Sequence, residues 1–262
     1  MSADYKNWIP NGMIKGFTAT SAAMAAITGV SAAAGGKLGK LQKPVTAVLA
    51  LGTAGISMAT LWLKICQDRY SYKGKRQLSK QIIEGTAEYV NIPDGGVGLD
   101  VGCGSGALTI ACAKRNPNAK MIGIDRWGKE YASFSKTLCE NNAEAEGVLN
   151  VEFMHGDACS LDFPDEYFDT VTSNYVYHNI AGVNKQELLR ETLRVLKKGG
   201  RFVIHDIMSK GRYGDMEAFA DELRSEGYEK VELIDTTNGK FMTPTEAKLM
   251  ALSGSTLLVG IK

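Results

Sequence analysis

From position 97 onward, short apolar runs alternate with stretches of helical periodicity. Residues 97–101, 120–125, 151–155, 168–173, 201–207, 231–235 and 257–261 read as strands. Between them, 107–115 carries Leu108, Ile110 and Ala111, and 128–141 carries Tyr131, Phe134 and Leu138 at helical spacing. The same pattern recurs over 184–198 with Leu189, Leu193 and Leu196, closed by Gly199-Gly200. It recurs again over 213–225 with Met216, Phe219, Ala220 and Leu223. A helix over 76–90 precedes the first strand and stops at Asn91-Ile-Pro-Asp-Gly-Gly96. Strand and helix alternating through short connections predict an α/β fold, a doubly wound and mostly parallel sheet.

The first 66 residues follow another pattern. Residues 16–36 and 44–63 contain no charged side chain. The first segment is mostly Ala, Gly, Ser and Thr. The second carries Val45, Val48, Ile56, Met58 and Trp62 beside its leucines. Neither is a signal peptide, since the first lacks a strong apolar core and a second apolar segment follows it. The pattern predicts an N-terminal helical hairpin over 1–66, associated with a membrane, ahead of a domain over 67–262. Small residues spaced by four, Ala22/Ala26 and Ala50/Ala54, suit close helix packing. The connecting loop carries Lys37, Lys40 and Lys43. With the body in the cytosol, a full crossing would put these lysines outside, against the positive-inside rule. A shallow hairpin on the cytoplasmic face removes that conflict and lets the lysines meet anionic head groups. A soluble helical cap or a homodimer contact, in a cytoplasmic protein, is the alternative.

Charge adds one exclusion. Lys+Arg number 30 and Asp+Glu 29, for a net charge of +1 over 262 residues. No global electrostatic case for nucleic acid exists at that balance. The cysteines at 66, 103, 112, 139 and 159 form no C-x-x-C pair and read as reduced thiols. Three scattered histidines make no metal site.

The candidate chemistry starts at Val97-Gly-Leu-Asp-Val-Gly-Cys-Gly-Ser-Gly106. A buried strand turning through glycines into a helix presents bare backbone N–H groups to a nucleotide-type cofactor. Gly102, Gly104 and Ala107 also satisfy the dinucleotide pattern, which leaves a nicotinamide cofactor open. Asp125 ends the second strand where a carboxylate can accept both ribose hydroxyls. Asp157, in Gly156-Asp-Ala158, can meet an adenine amino group, or can simply build an Asx turn.

With these pieces in hand, residues 76–262 resemble the class I S-adenosylmethionine-dependent methyltransferases, of the ubiquinone/menaquinone-methyltransferase-like, small-molecule type. The resemblance rests on Leu99-Asp-Val-Gly-Cys-Gly-Ser-Gly106, Gly123-Ile-Asp125, Gly156-Asp-Ala158, Phe168-Asp-Thr-Val171 and Leu196-Lys-Lys-Gly-Gly-Arg-Phe202, in that order. It implies a Rossmann-like sheet of seven strands, the last inserted antiparallel. S-adenosyl-L-methionine would lie across the ends of the first, second and fourth strands. Asp100 and Gly102 would hold its methionine end, with Cys103 and Gly104 lining it by backbone. Asp125 would bind the ribose, while Asp157 and Ala158 would read the adenine. Arg126 would flank the ring where many relatives have an apolar residue, so either its stem or Trp127 covers the base. Asn174 would meet the methionine amino group or the sulfonium.

The acceptor would be a small, lipid-like molecule methylated by in-line displacement. A base is needed only where that acceptor arrives protonated. His178, in Ser173-Asn-Tyr-Val-Tyr-His178, is the candidate, with Tyr175 and Tyr177 orienting the acceptor. His178 bonded to a backbone group, shaping the pocket only, is the other reading. His205 and Asp206 end the fifth strand within reach of the same pocket. The rival functions are a nicotinamide-dependent oxidoreductase and a non-catalytic S-adenosylmethionine-binding regulator.

Overall fold

The computed structural model describes residues 2–34, 36–37, 39–128 and 133–262. They fall into two compact units: Asn7–Ser79, and Met1–Lys6 together with Lys80–Lys262.

The larger unit is built on a sheet of seven strands in the order β3-β2-β1-β4-β5-β7-β6. These are β1 (Val97–Val101), β2 (Lys120–Asp125), β3 (Val151–His155), β4 (Phe168–Asn174), β5 (Leu196–Ile207), β6 (Glu229–Asp235) and β7 (Ser255–Ile261). The first five pair in parallel, and β7 runs antiparallel to both β5 and β6. The reversed last strand and the seven-stranded sheet agree with expectation. In β1 and β2, Leu99, Val101, Met121, Ile122 and Ile124 are all buried, because helices cover both faces of a parallel sheet. The chain leaves β1 toward β2 and β3, then returns to β4 on the other side of β1. That reversal puts the topological switch between β1 and β4, where a crevice opens beyond the strand ends.

Four helices differ from the predicted pattern. The helix before the first strand, α3 (Leu78–Ala87), is shorter at both ends than 76–90. The helix after β2 begins at Lys136, capped by Ser135, and runs to Ala145. Of its predicted start, residues 129–132, with Tyr131, lie outside the described residues. The helix after β4 ends at Arg194 instead of 198. Leu196 pairs with Phe168 as the first residue of β5, so the sheet takes a leucine that continued the helical stripe. The Lys262 ammonium then caps the carbonyls of Leu193, Arg194 and Leu196 at 2.8, 3.3 and 2.8 Å. The predicted helix over 213–225 is two: Gly214, at φ 76°, separates Lys210–Tyr213 from Met216–Ser225. Asp215 caps the second through the Ala218 N–H at 3.2 Å. In chain order α4 is Ala107–Arg115, α5 Lys136–Ala145, α6 Lys185–Arg194, α7 Lys210–Tyr213 and α8 Met216–Ser225. A ninth helix, α9 (Pro244–Leu249), was not expected. Its Thr243-x-x-Glu246 start, with proline at the first turn, is a capping signal.

The smaller unit is a helical pair, α1 (Asn11–Ala33) and α2 (Gln42–Tyr70), preceded at α2 by a short 3₁₀ turn. Hydroxyls pair across the seam: Ser21 with Ser57, Thr28 with Thr53, and Ser31 with Thr46, at 2.6, 2.9 and 2.7 Å. Thr20 and Thr60 also donate to the carbonyl one turn earlier, and of Thr28 and Thr53 one donates to that carbonyl while the other's proton closes the pair. The outer faces keep large apolar side chains exposed, among them Val30 at 73% and Leu51 at 74%. Among the described residues, Gly39–Tyr70 alone is long and apolar enough to cross a membrane, with mean hydropathy 1.6 over its best window.

Gly123 has no room for a side chain under the glycine turn. A Cβ there would lie 2.8 Å from Thr109 Oγ1, 2.9 Å from Phe153 Cδ1 and 3.0 Å from Cys103 Cβ. Gly123→Ala therefore overpacks three elements at once and is expected to destabilise by about 1–3 kcal/mol. Thermal unfolding measures it, and an unchanged melting temperature would contradict this packing.

Candidate functional site

The turn between β1 and α4 folds back on the end of β2. The N–H groups of Gly102 and Cys103 both donate to the Ile124 carbonyl, at 2.8 and 2.9 Å. The Gly106 N–H bonds the Cys103 carbonyl at 2.8 Å. The Gly104 N–H donates to Asp125 Oδ2 at 2.9 Å. The expectation of bare amides is thus corrected at these four positions, because a turn this tight satisfies its own donors against β2. What the loop offers is bare Cα surface and a carboxylate already aimed at it. Gly102, Gly104 and Gly106 have φ of 75°, 56° and 80°, a region that suits glycine. At Gly102 space also excludes a side chain, since a Cβ would stand 2.4 Å from Val176 Cγ2. That contact joins the β1 turn to the segment after β4.

Asp125 is half-buried and holds both sides of the turn. Its Oδ1 accepts the Trp127 N–H at 2.7 Å, and each oxygen keeps a second lone pair. Trp127 folds over the loop, its indole N–H donating to the Gly104 carbonyl at 2.9 Å. Cys139 Sγ reaches the same carbonyl at 3.2 Å. Cys103 is buried beside Cys139, and burial pushes its thiol well up. From the N-terminal arm, the Asp4 N–H bonds Asn142 Oδ1, and Asn142 in turn donates to the Ser105 carbonyl at 3.0 Å. Asn142 and Trp127 thus brace the loop. Asn142 carried no recognisable signal in the sequence.

Asp100 faces inward, 1% exposed. Its Oδ2 accepts from Thr109 Oγ1 at 2.6 Å and its Oδ1 from Thr172 Oγ1 at 3.0 Å. Burial raises its carboxyl to about 6 in spite of these bonds. It ties β1 to α4 and β4.

Asp157 lies one strand over, after β3, and the Gly156 N–H bonds the Asp125 carbonyl at 3.1 Å. Its Oδ1 accepts the Cys159 N–H at 2.9 Å, which is the Asx turn. Its Oδ2 stands 3.8 Å from Arg126 Nη1, both side chains being substantially exposed. Ala158 packs half-buried against the core. The turn geometry leaves Asp157 Oδ2 and Arg126 together at the rim.

The other half of the crevice follows β4. Asn174 Oδ1 lies 2.9 Å from His205 Nδ1, and His205 Nε2 lies 2.9 Å from Thr236 Oγ1. Burial holds His205 down to about 3, so it stays a neutral spacer. Tyr175, at φ 55°, bonds Ser255 on β7 through its hydroxyl at 2.7 Å. Its ring stands 6.0 Å from His178, edge to face. His178 sits on the 3₁₀ turn Tyr177–Asn179. Its Nδ1 lies 2.5 Å from Asp206 Oδ1. The backbone-bonded alternative for His178 is therefore replaced by a carboxylate partner. The Asp206 carboxylate also takes the Tyr213 hydroxyl at 2.8 Å. Tyr213 and Ser255 were missed in the sequence, where nothing in their spacing marks them. No cluster of metal-ligating side chains is present among the described residues.

The comparisons with known proteins agree with this architecture. Residues 92–248 match a family described as a methyltransferase domain. A demethylmenaquinone methyltransferase of Thermus thermophilus is 36% identical over 118 residues, 44% of this chain and 50% of that protein. An uncharacterized methyltransferase, YcgJ of Bacillus subtilis, is 38% identical over 108 residues, 41% of this chain and 39% of that one. The chain spans about half the length of the curated relatives it matches. Among solved structures, the [4+2]-cyclase SpnF has a TM-score of 0.55 at 22% identity, over 71% of this chain and 82% of that one. A geranyl diphosphate methyltransferase in complex with geranyl diphosphate and sinefungin has a TM-score of 0.55 at 14% identity, over 72% and 79%. These two likenesses show the fold, and a cyclase among them shows that the fold does not dictate the reaction. The family assignment rests on the matched sequence, which covers more than half of the chain: this protein belongs to the methyltransferase domain family.

Proposed function

We propose that this chain transfers a methyl group from S-adenosylmethionine to a small, lipophilic acceptor at a membrane surface. The observation that carries the reading is Asp125. Its carboxylate is fixed by the Gly104 N–H at the switch point, inside the matched family region. In this reading Asp125 accepts the ribose hydroxyls with its remaining lone pairs. Gly102, Cys103 and Gly104 form the flat wall beside the methionine end, and Asp100 holds that wall from behind through its two threonines. Asn174 meets the methionine amino group. Asp157 and Ala158 read the adenine edge, with Arg126 and Trp127 at the ring. The cofactor supplies an activated sulfonium methyl. The protein's part is to hold the acceptor in line with it and to keep water away. His178 takes a proton where the acceptor carries one, and Tyr175 shapes the acceptor side.

The lipophilic acceptor rests on the named activity of the menaquinone-type relatives and on the helical pair. At 29 residues, α2 is about 43 Å long, more than the roughly 30 Å of a bilayer core. Its hydroxyls are turned to α1 or to its own carbonyls, as apolar surroundings require. The domain division into 1–66 and 67–262 belongs to the same proposal.

Calorimetry tests the cofactor. S-adenosylmethionine is expected to bind, and Asp125→Ala to weaken it by tenfold or more, about 1.4 kcal/mol or above. Asp157→Ala, on a more exposed side chain, is expected to cost less. A chain that ignores S-adenosylmethionine but gains melting temperature with a nicotinamide dinucleotide would reverse the assignment. Labelled methyl counts recovered in a lipid extract, and absent from a polar one, are expected from the acceptor assay. Binding of the cofactor with no turnover in either extract would favour the regulator.

Flotation with phosphatidylcholine/phosphatidylglycerol vesicles tests the membrane. The 262-residue chain is expected to float with the vesicles, and Val48→Asp with Leu51→Asp to reduce that fraction severalfold. An unsubstituted chain left at the bottom of the gradient would remove the membrane from the proposal.

A further inference from the structure

Asp206 is fully buried near the end of β5 and has no Lys or Arg partner among the described residues. A carboxylate in that position is costly unless donors surround it. Four do. Oδ1 takes His178 Nδ1 at 2.5 Å and the Ile207 N–H at 2.6 Å. Oδ2 takes the Tyr213 hydroxyl at 2.8 Å and the backbone N–H of His178 at 3.1 Å. Burial pushes the Asp206 carboxyl up, but the bonds from His178 and Tyr213 outweigh it and hold the group below the usual carboxylate range. One carboxylate therefore grips both the ring and the backbone of His178.

We infer that Asp206 is the positioning residue that makes His178 a base, with Tyr213 holding the carboxylate in register. An ionised carboxylate only accepts, so the proton of the neutral imidazole sits on Nδ1. Nε2 then carries the lone pair, and it makes no hydrogen bond among the described residues. The side chain is 14% exposed, enough to meet an acceptor. His205 stands in contrast: fully buried, with both ring nitrogens engaged. This assignment rests on the methyl-transfer reading above. In the step it serves, the acceptor's proton passes to Nε2 and the freed electron pair bonds the methyl carbon. The carbon–sulfur bond breaks with its pair going to sulfur. The imidazolium then faces the Asp206 carboxylate.

The ionisable groups around the pair are Tyr175 and Tyr177 from the same segment, Tyr213 from α7 and His205 from β5, with Asp100 of β1 acting on Tyr177 and Arg212 of α7 on Tyr213. Burial raises Tyr177 and Tyr213, so both remain neutral phenols, and burial lowers His205 to about 3, so it is neutral near pH 7.

The chain has three histidines, so ¹⁵N-histidine labelling of the 262-residue protein yields three ring spectra. Long-range ¹H–¹⁵N correlation across pH reads each tautomer and each titration midpoint without any acceptor. His178 is expected as the Nδ1–H tautomer. Asp206→Asn is expected to lower its midpoint, since the carboxylate facing the imidazolium is gone. Tyr213→Phe is expected to keep the tautomer and shift the midpoint less. In the labelled-methyl assay Asp206→Asn is expected to lower kcat by about 10²-fold or more, with cofactor affinity retained. An Nε2–H tautomer in the unsubstituted protein overturns the inference even where Asp206→Asn fails to fold, and so does an unmoved midpoint in a folded Asp206→Asn. A protein that shows the Nδ1–H tautomer and the shift but no methyl transfer would retire the activity reading and leave the pairing intact.

Discussion

The Ile124 carbonyl is the anchor of this site. It takes two backbone N–H groups from the turn above it, Gly102 and Cys103. A chain can return to a neighbouring strand that sharply only through positive φ, and Gly102, Gly104 and Gly106 all have it. The return places the Gly104 N–H on Asp125, the residue after Ile124. The carboxylate and the turn are thus a single unit, and neither has its geometry without the other.

That unit depends on close packing below it. Gly123 lets α4, β3 and the turn meet over β2, and Asp100 joins β1, α4 and β4 through two threonine hydroxyls. A buried carboxyl is an expensive way to join three elements. It brings direction, because a hydrogen bond sets register where apolar packing would allow sliding. On the far side of the switch point the same logic recurs around Asp206. The two halves meet at Val176, which leaves no room for a side chain at 102.

The five interior strands were legible because a sheet covered on both faces must be built from short apolar runs, whereas the edge strands β3 and β6 are mostly exposed. Helix ends were less legible. Leu196 continues the stripe of Leu189 and Leu193, yet it joins β5 because Phe168 pairs with it. Periodicity reports which face is apolar, and it does not report which partner will claim the last residue. Of the candidate site, Asp125 and Asp157 stood out by their offsets from the glycine turn. The use of the turn's own amides did not, since that depends on where β2 ends in space.

By itself the sequence determined the α/β class, the glycine turn, the acidic ends of the second and third strands, and the apolar pair ahead of them. Each is a local pattern, set by φ preference, burial period or charge. Only the tertiary structure decided that His178 faces Asp206, with Tyr213 on the same carboxylate, while His205 is sealed between Asn174 and Thr236. Those partners come from β4, β5, α7 and the segment before β7. They meet because the strand order brings them side by side, and strand order is a property of the packed sheet rather than of any stretch of chain.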